Sequence, residues 1–138
     1  MVGKACLEAP GPCTYRERSV MFERTKLVSE DAFAQLLMNG HATAGGDEID
    51  PHPVVKLFTP DAGATWLLTE IDPDDEDRAF GLCDLGLGFP ELGWVRFSEL
   101  EAVRGRLGLP VEVDRHFKPD RPLSSYADEA RQVSRISM

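Results

Sequence analysis

Residues that carry nucleophilic or metal chemistry are scarce in this chain. It has three cysteines and three histidines in 138 residues. Cys6, Cys13 and Cys83 form no CxxC pair and no Cys/His spacing typical of zinc. Free thiols in a reducing cytoplasm are expected, with a Cys6–Cys13 bridge as the alternative. His41, His52 and His116 fall in separate regions, none at a recognised triad or metal spacing. Long apolar runs are missing too. No segment approaches the roughly 18 residues a membrane span needs. The opening MVGKACLEAPGPC lacks the apolar core of a signal peptide. A cytoplasmic protein without membrane contact is therefore expected. Basic residues are the scarcer sign, with 15 Lys and Arg against 24 Asp and Glu and a net charge of −9. Phosphate contacts need cations, so direct nucleic-acid binding is not expected. Gly81, Gly86 and Gly88 lack the following Lys-Ser/Thr of a phosphate loop.

What is present is a globular pattern. A hydrophobic fraction of 42% can build a core, and 138 residues suit one domain. Ser29 ahead of Glu30 and Asp31 predicts a helix start. Phe33, Leu36 and Leu37 supply its apolar stripe, and Asn39-Gly40 predicts its stop. Strands are predicted over 54–58, 65–71, 79–85 and 93–97, and their short connections favour an antiparallel meander. Ser98-Glu99-Leu100-Glu101 has the spacing of a capping box, predicting a helix to about Arg106. Residues 111–117 alternate as an edge strand or an extended strap. A last helix is predicted from Tyr126 with Ser125 as its cap. The fold class is α+β: an antiparallel sheet of about four to five strands packed with two or three short helices. Residues 1–19 are expected as an irregular arm, 20–120 as the domain and 121–138 as a helical tail.

The negative charge is concentrated. Residues 47–91 hold twelve acids and two bases, Lys56 and Arg78, a net −10, while the rest of the chain sums to +1. Asp72, Asp74, Asp75, Glu76 and Asp77 form its core and are expected as an acidic loop. Such a run can be a solvated loop. It can be a surface for a basic protein, its carboxylates taking the place of DNA phosphates in Arg and Lys forks. It can be a calcium or magnesium site. DPDDEDRAF lacks the EF-hand spacing and its turn glycine, so no metal or cofactor is assigned. On a meander the loops alternate between two ends, so the charge need not form one patch. Cys83-Asp84 has no base beside it, and a buried strand cysteine is expected instead. No catalytic residue is assigned. Trp66 and Trp94 are expected in the core.

Two blocks, FTPDAGATWLLTE and ELGWVRFSELEAVRGRLGLPVEVDRHFKP, carry one more signal. They include Phe58-Thr59-Pro60-Asp61, Thr65-Trp66, Glu91-Leu92-Gly93, Ser98 to Glu101, Val103-Arg104-Gly105 and Leu107 to Pro110, followed by Glu112, Asp114 and Phe117. Over residues 26–120 the chain resembles a family of small bacterial proteins of unknown function that recur on plasmids, phages and integrative elements. It departs from that pattern at Val113 and His116. The resemblance implies a genetic setting and no activity. Proteins in that setting often counter host restriction or CRISPR defence, or help maintain the element. Together with the charge map, this leads to an expected function. The chain would be a non-enzymatic acidic binding protein of a mobile element, an anti-defence inhibitor acting as a DNA mimic. It would occlude a basic surface of a host protein that handles nucleic acid. Asp72, Asp74, Asp75, Glu76 and Asp77 would make the contacts. A small metal-dependent enzyme using 72–77 and a structural accessory subunit using the glycine-rich 86–93 loop are the alternatives.

Overall fold

The structure is a computed structural model and describes residues 25–136. The predicted arm over 1–19, Cys6 and Cys13 lie outside the described residues, as does most of Ser19–Val28. Helix α1 (Glu30–Ala44) precedes strands β1 (Val55–Phe58), β2 (Thr65–Asp72), β3 (Asp75–Asp84) and β4 (Glu91–Arg96). Helix α2 (Phe97–Ala102), strand β5 (Glu112–Val113) and helix α3 (Leu123–Val133) follow. The five strands form one antiparallel sheet in the order β4-β3-β2-β1-β5. The α+β class and the meander of the first four strands are as the sequence predicts.

Strand β2 is central, and every residue from Trp66 to Ile71 is buried. Trp66 and Leu68 pack on one side with Val55, Leu57 and Ala79, against Phe33 and Leu36 of α1 and Phe97 and Leu100 of α2. Leu67 packs on the other side with Leu82, against Leu123, Tyr126, Ala127 and Ala130 of α3. A strand that is apolar on both faces must be covered on both, and the result is a three-layer α/β/α domain. Among the described residues no helix is long and apolar enough to cross a membrane.

Several local expectations change. The Ser29 hydroxyl does cap α1, accepting from the Ala32 N–H at 3.2 Å. The helix then runs through Asn39-Gly40 to Ala44. The reason is tertiary. Gly40 lies against β2, where a Cβ would land on the Ile71 carbonyl oxygen. The Asn39 amide donates to the Thr69 carbonyl at 2.8 Å. These residues dock the helix and do not end it. The expected acidic loop is only a Pro73-Asp74 turn, and Asp75, Glu76 and Asp77 are strand residues of β3. Their poor strand propensity is offset by ion pairs from Arg96 on the neighbouring strand to Asp75 and Asp77.

Neither of the other two predicted helix caps forms. Helix α2 begins at Phe97 and stops at Ala102, and Val103 is extended. Ser98 sits in its first turn, donating its N–H and hydroxyl to Asp77 at 2.9 and 2.7 Å. Glu101 instead accepts from the Thr25 hydroxyl at 2.5 Å. Helix α3 begins at Leu123, and Asp50 accepts from the Ser124 N–H at 3.2 Å and from its hydroxyl. Distant carboxylates thus replace local caps. Gly40→Ala is expected to force α1 off β2 and lower stability by about 1–3 kcal/mol. Urea unfolding measures this, and an unchanged midpoint would show that the helix shifts without cost.

Candidate functional site

The ends of the sheet differ in chemistry. Strand β2 is eight residues long, so they lie roughly 25 Å apart. One end holds the β2–β3 turn and the segment leading from α1 into β1. It therefore gathers Asp47, Glu48, Asp50, Glu70, Asp72, Asp74, Asp75, Glu76 and Asp77. Most of the acid excess does collect at one end, which strand pairing decides and the sequence left open.

Much of that charge is already engaged. Asp72 pairs with Arg78 at 3.0 Å and accepts from the Asp74 N–H at 2.9 Å. Asp75 pairs with Arg96 at 2.9 Å, and Asp77 approaches the same guanidinium at 3.6 Å while holding Ser98. The hydrogen bond and charge of Asp75, and then the charge of Asp77, hold Arg96 more firmly protonated. Of the five residues singled out from the sequence, Asp74 and Glu76 have side chains without a cation or N–H partner among the described residues. Glu70 is 8% exposed and accepts from the Thr43 hydroxyl at 3.2 Å. Burial raises its pKa, and the Thr43 bond offsets this only in part.

The opposite end exposes large apolar side chains, with Arg104 and Arg106 beside them. Three loops meet there: 59–64, 85–90 and 104–110. Thr59 closes the first, its hydroxyl accepting from the Ala64 N–H at 3.0 Å. Asp61 reaches from that loop to the third, accepting from the N–H groups of Leu107 at 2.6 Å and Leu109 at 3.4 Å. The Asp61 carboxyl fills the space a side chain on Gly105 would need, and Gly108 turns the chain with a φ of 81°. On the other flank Gly86 lies against the Gly63 backbone at a φ of 79°. Buried Asp84 fixes that flank, accepting from the N–H groups of Gly86 and Ile136 at 2.8 Å each. These braced loops present Leu85, Leu87, Phe89, Leu107 and Leu109, which are 41–79% exposed. The glycines of LGLGF were legible only as breakers, because no spacing reveals which side of a loop faces solvent.

Trp66 is core as expected, whereas Trp94 is 41% exposed on β4. Arg78 lies over its ring at 4.2 Å and Phe80 meets it edge-on at 5.2 Å. The Cys83 thiol pKa is pushed up to about 11 by burial and then by Glu91. It is therefore no thiolate nucleophile at neutral pH. Two open hollows of about 350 and 480 Å³ flank Phe58, the first lined by Lys56, Thr59, Thr65 and Asp114 and the second by Lys26, Asp114 and His116. Among the described residues no three His, Cys, Asp or Glu side chains converge as a metal site.

Two outcomes follow. Asp61→Ala is expected to cost about 1–3 kcal/mol by leaving two turn N–H groups without their acceptor. Amide exchange at Leu107 and Leu109 should accelerate, and unchanged exchange would show that the turn holds without the carboxylate. Glu70 keeps its proton in the native state over a pH window just above 4.5, where the unfolded chain has lost it. Stability therefore falls as pH rises through that window. Glu70→Gln is expected to flatten the slope and raise stability at neutral pH, as read from urea titrations at stepped pH.

Comparison with known proteins adds a family. A family model described as "Protein of unknown function (DUF2958)" matches residues 27–137. No curated protein and no solved structure matches the chain. The match spans the three loops of that end, together with the acidic turn and the three described helices, and the chain belongs to this family of unknown function.

Proposed function

We propose that this domain is a non-catalytic binding protein whose contact surface is the apolar loop end. One observation carries the reading: five large apolar side chains stand exposed on two loops, 85–90 and 104–110, that Asp84 and Asp61 brace. Exposed apolar groups cost solubility unless a partner covers them, and rigid loops lose little entropy on docking. The partner is a basic protein. The net charge of −9 and the acidic end support this, with Asp74 and Glu76 carrying no cation partner among the described residues. In the setting that the family resemblance implies, a mobile element in a bacterial host, such a partner is a nucleic-acid-handling defence protein. Binding covers its basic surface.

The test is a nuclease-treated pull-down from host lysate with wild type, Leu87→Ser/Phe89→Ser and Asp74→Asn/Glu76→Gln. Wild type is expected to capture a basic protein and the loop variant to lose it. The acid variant should retain it with a slower, less salt-sensitive association. Capture that is indifferent to the loop variant would overturn the assignment of the surface.

A further inference from the structure

We propose that a second copy of this chain pairs with β4, joining two sheets edge to edge about a two-fold axis at Gly93. This surface is distinct from the loop end. The two sheet edges are unequal. Strand β5 has two residues, whereas β4 has six, paired with β3 in unbroken register from Arg78↔Arg96 to Cys83↔Glu91. Among the described residues no segment hydrogen-bonds to the outer side of Glu91–Val95. An open edge is normally blunted by charged side chains, proline, a bulge or a covering loop. Between the charged ends Glu91 and Arg96, residues 92–95 have none of these among the described residues. They offer Leu92 and Trp94, 39% and 41% exposed, on the face where α3 covers Leu82 but does not reach β4.

Geometry narrows how a copy can bind. Directly opposed residues in an antiparallel pair point to the same face. A two-fold axis normal to the sheet preserves faces, so it must pass beside one residue paired with itself. At Gly93 it sets Leu92 against Trp94 of the second copy twice, and Glu91 against Val95. Like charges do not oppose each other, and the self-paired position has no side chain to clash. The charge distribution also favours this occupant. Each acidic turn lies at the Arg96 end of β4, so antiparallel pairing sends the two turns to opposite ends of the dimer. A chain of net charge −9 can then self-associate without bringing its acidic ends together.

Sedimentation equilibrium tests this on the full chain. Wild type is expected at twice the 15.3 kDa chain mass. Leu92→Lys and Trp94→Lys should each weaken the dimer at least tenfold with circular dichroism unchanged. Leu87→Ser/Phe89→Ser should remain dimeric, which separates this surface from the loop end. Without any substitution, amide exchange over 91–95 should accelerate on dilution. A monomeric wild type at every concentration, exchange that ignores dilution, or a dimer that survives both lysine variants would overturn the proposal.

Discussion

Strand β2 is apolar on both faces, and the rest of the structure depends on covering it. A one-sided sheet would leave either Leu67 or the Trp66–Leu68 face in water. Helix α1 supplies one cover and can approach closely because Gly40 has no side chain. Helix α3 supplies the other from the far end of the chain. Strand β2 thus couples the two ends of the described chain through one strand of hydrophobic burial.

The acidic residues are the second organising element, and much of their work is internal. Asp50 and Asp77 bind the first turns of α3 and α2, Asp61 binds the 105–109 turn, and Asp84 binds both Gly86 and Ile136. In each case a carboxylate accepts N–H groups of a helix start or a turn that have no acceptor within their own segment. This gives a physical account of the paired sequence blocks. Phe58-Thr59-Pro60-Asp61 and Gly105 to Leu109 are far apart in the chain but are two halves of one clamp. Ser98 belongs with Asp77, not with Glu101.

The same economy shapes the functional reading. Carboxylates committed to Arg78, Arg96 and Ser98 are less available to a partner, so in the proposed complex charge at the acidic end would steer more than it grips. Among the described residues the apolar loop tips have no such internal partner. A molecule with an acidic end and an apolar end can be oriented by the first and held by the second. An open β4 edge between them leaves room for a second copy.

The sequence by itself determined the α+β class, the antiparallel meander, the Ser29 cap and the Phe33–Leu36 face, because periodicity and short connections are local properties. It also determined where the acids are concentrated. Tertiary structure alone decided what those acids do. Local rules assigned Ser98-Glu101 to a capping box and Asn39-Gly40 to a stop, yet a better acceptor at Asp77 and a close strand at Ile71 overrode them. Only the fold could show that loops 85–90 and 104–110 both flank the 59–64 turn. Their shared apolar surface depends on which strand ends coincide, and sheet pairing fixes that across more than forty residues of chain.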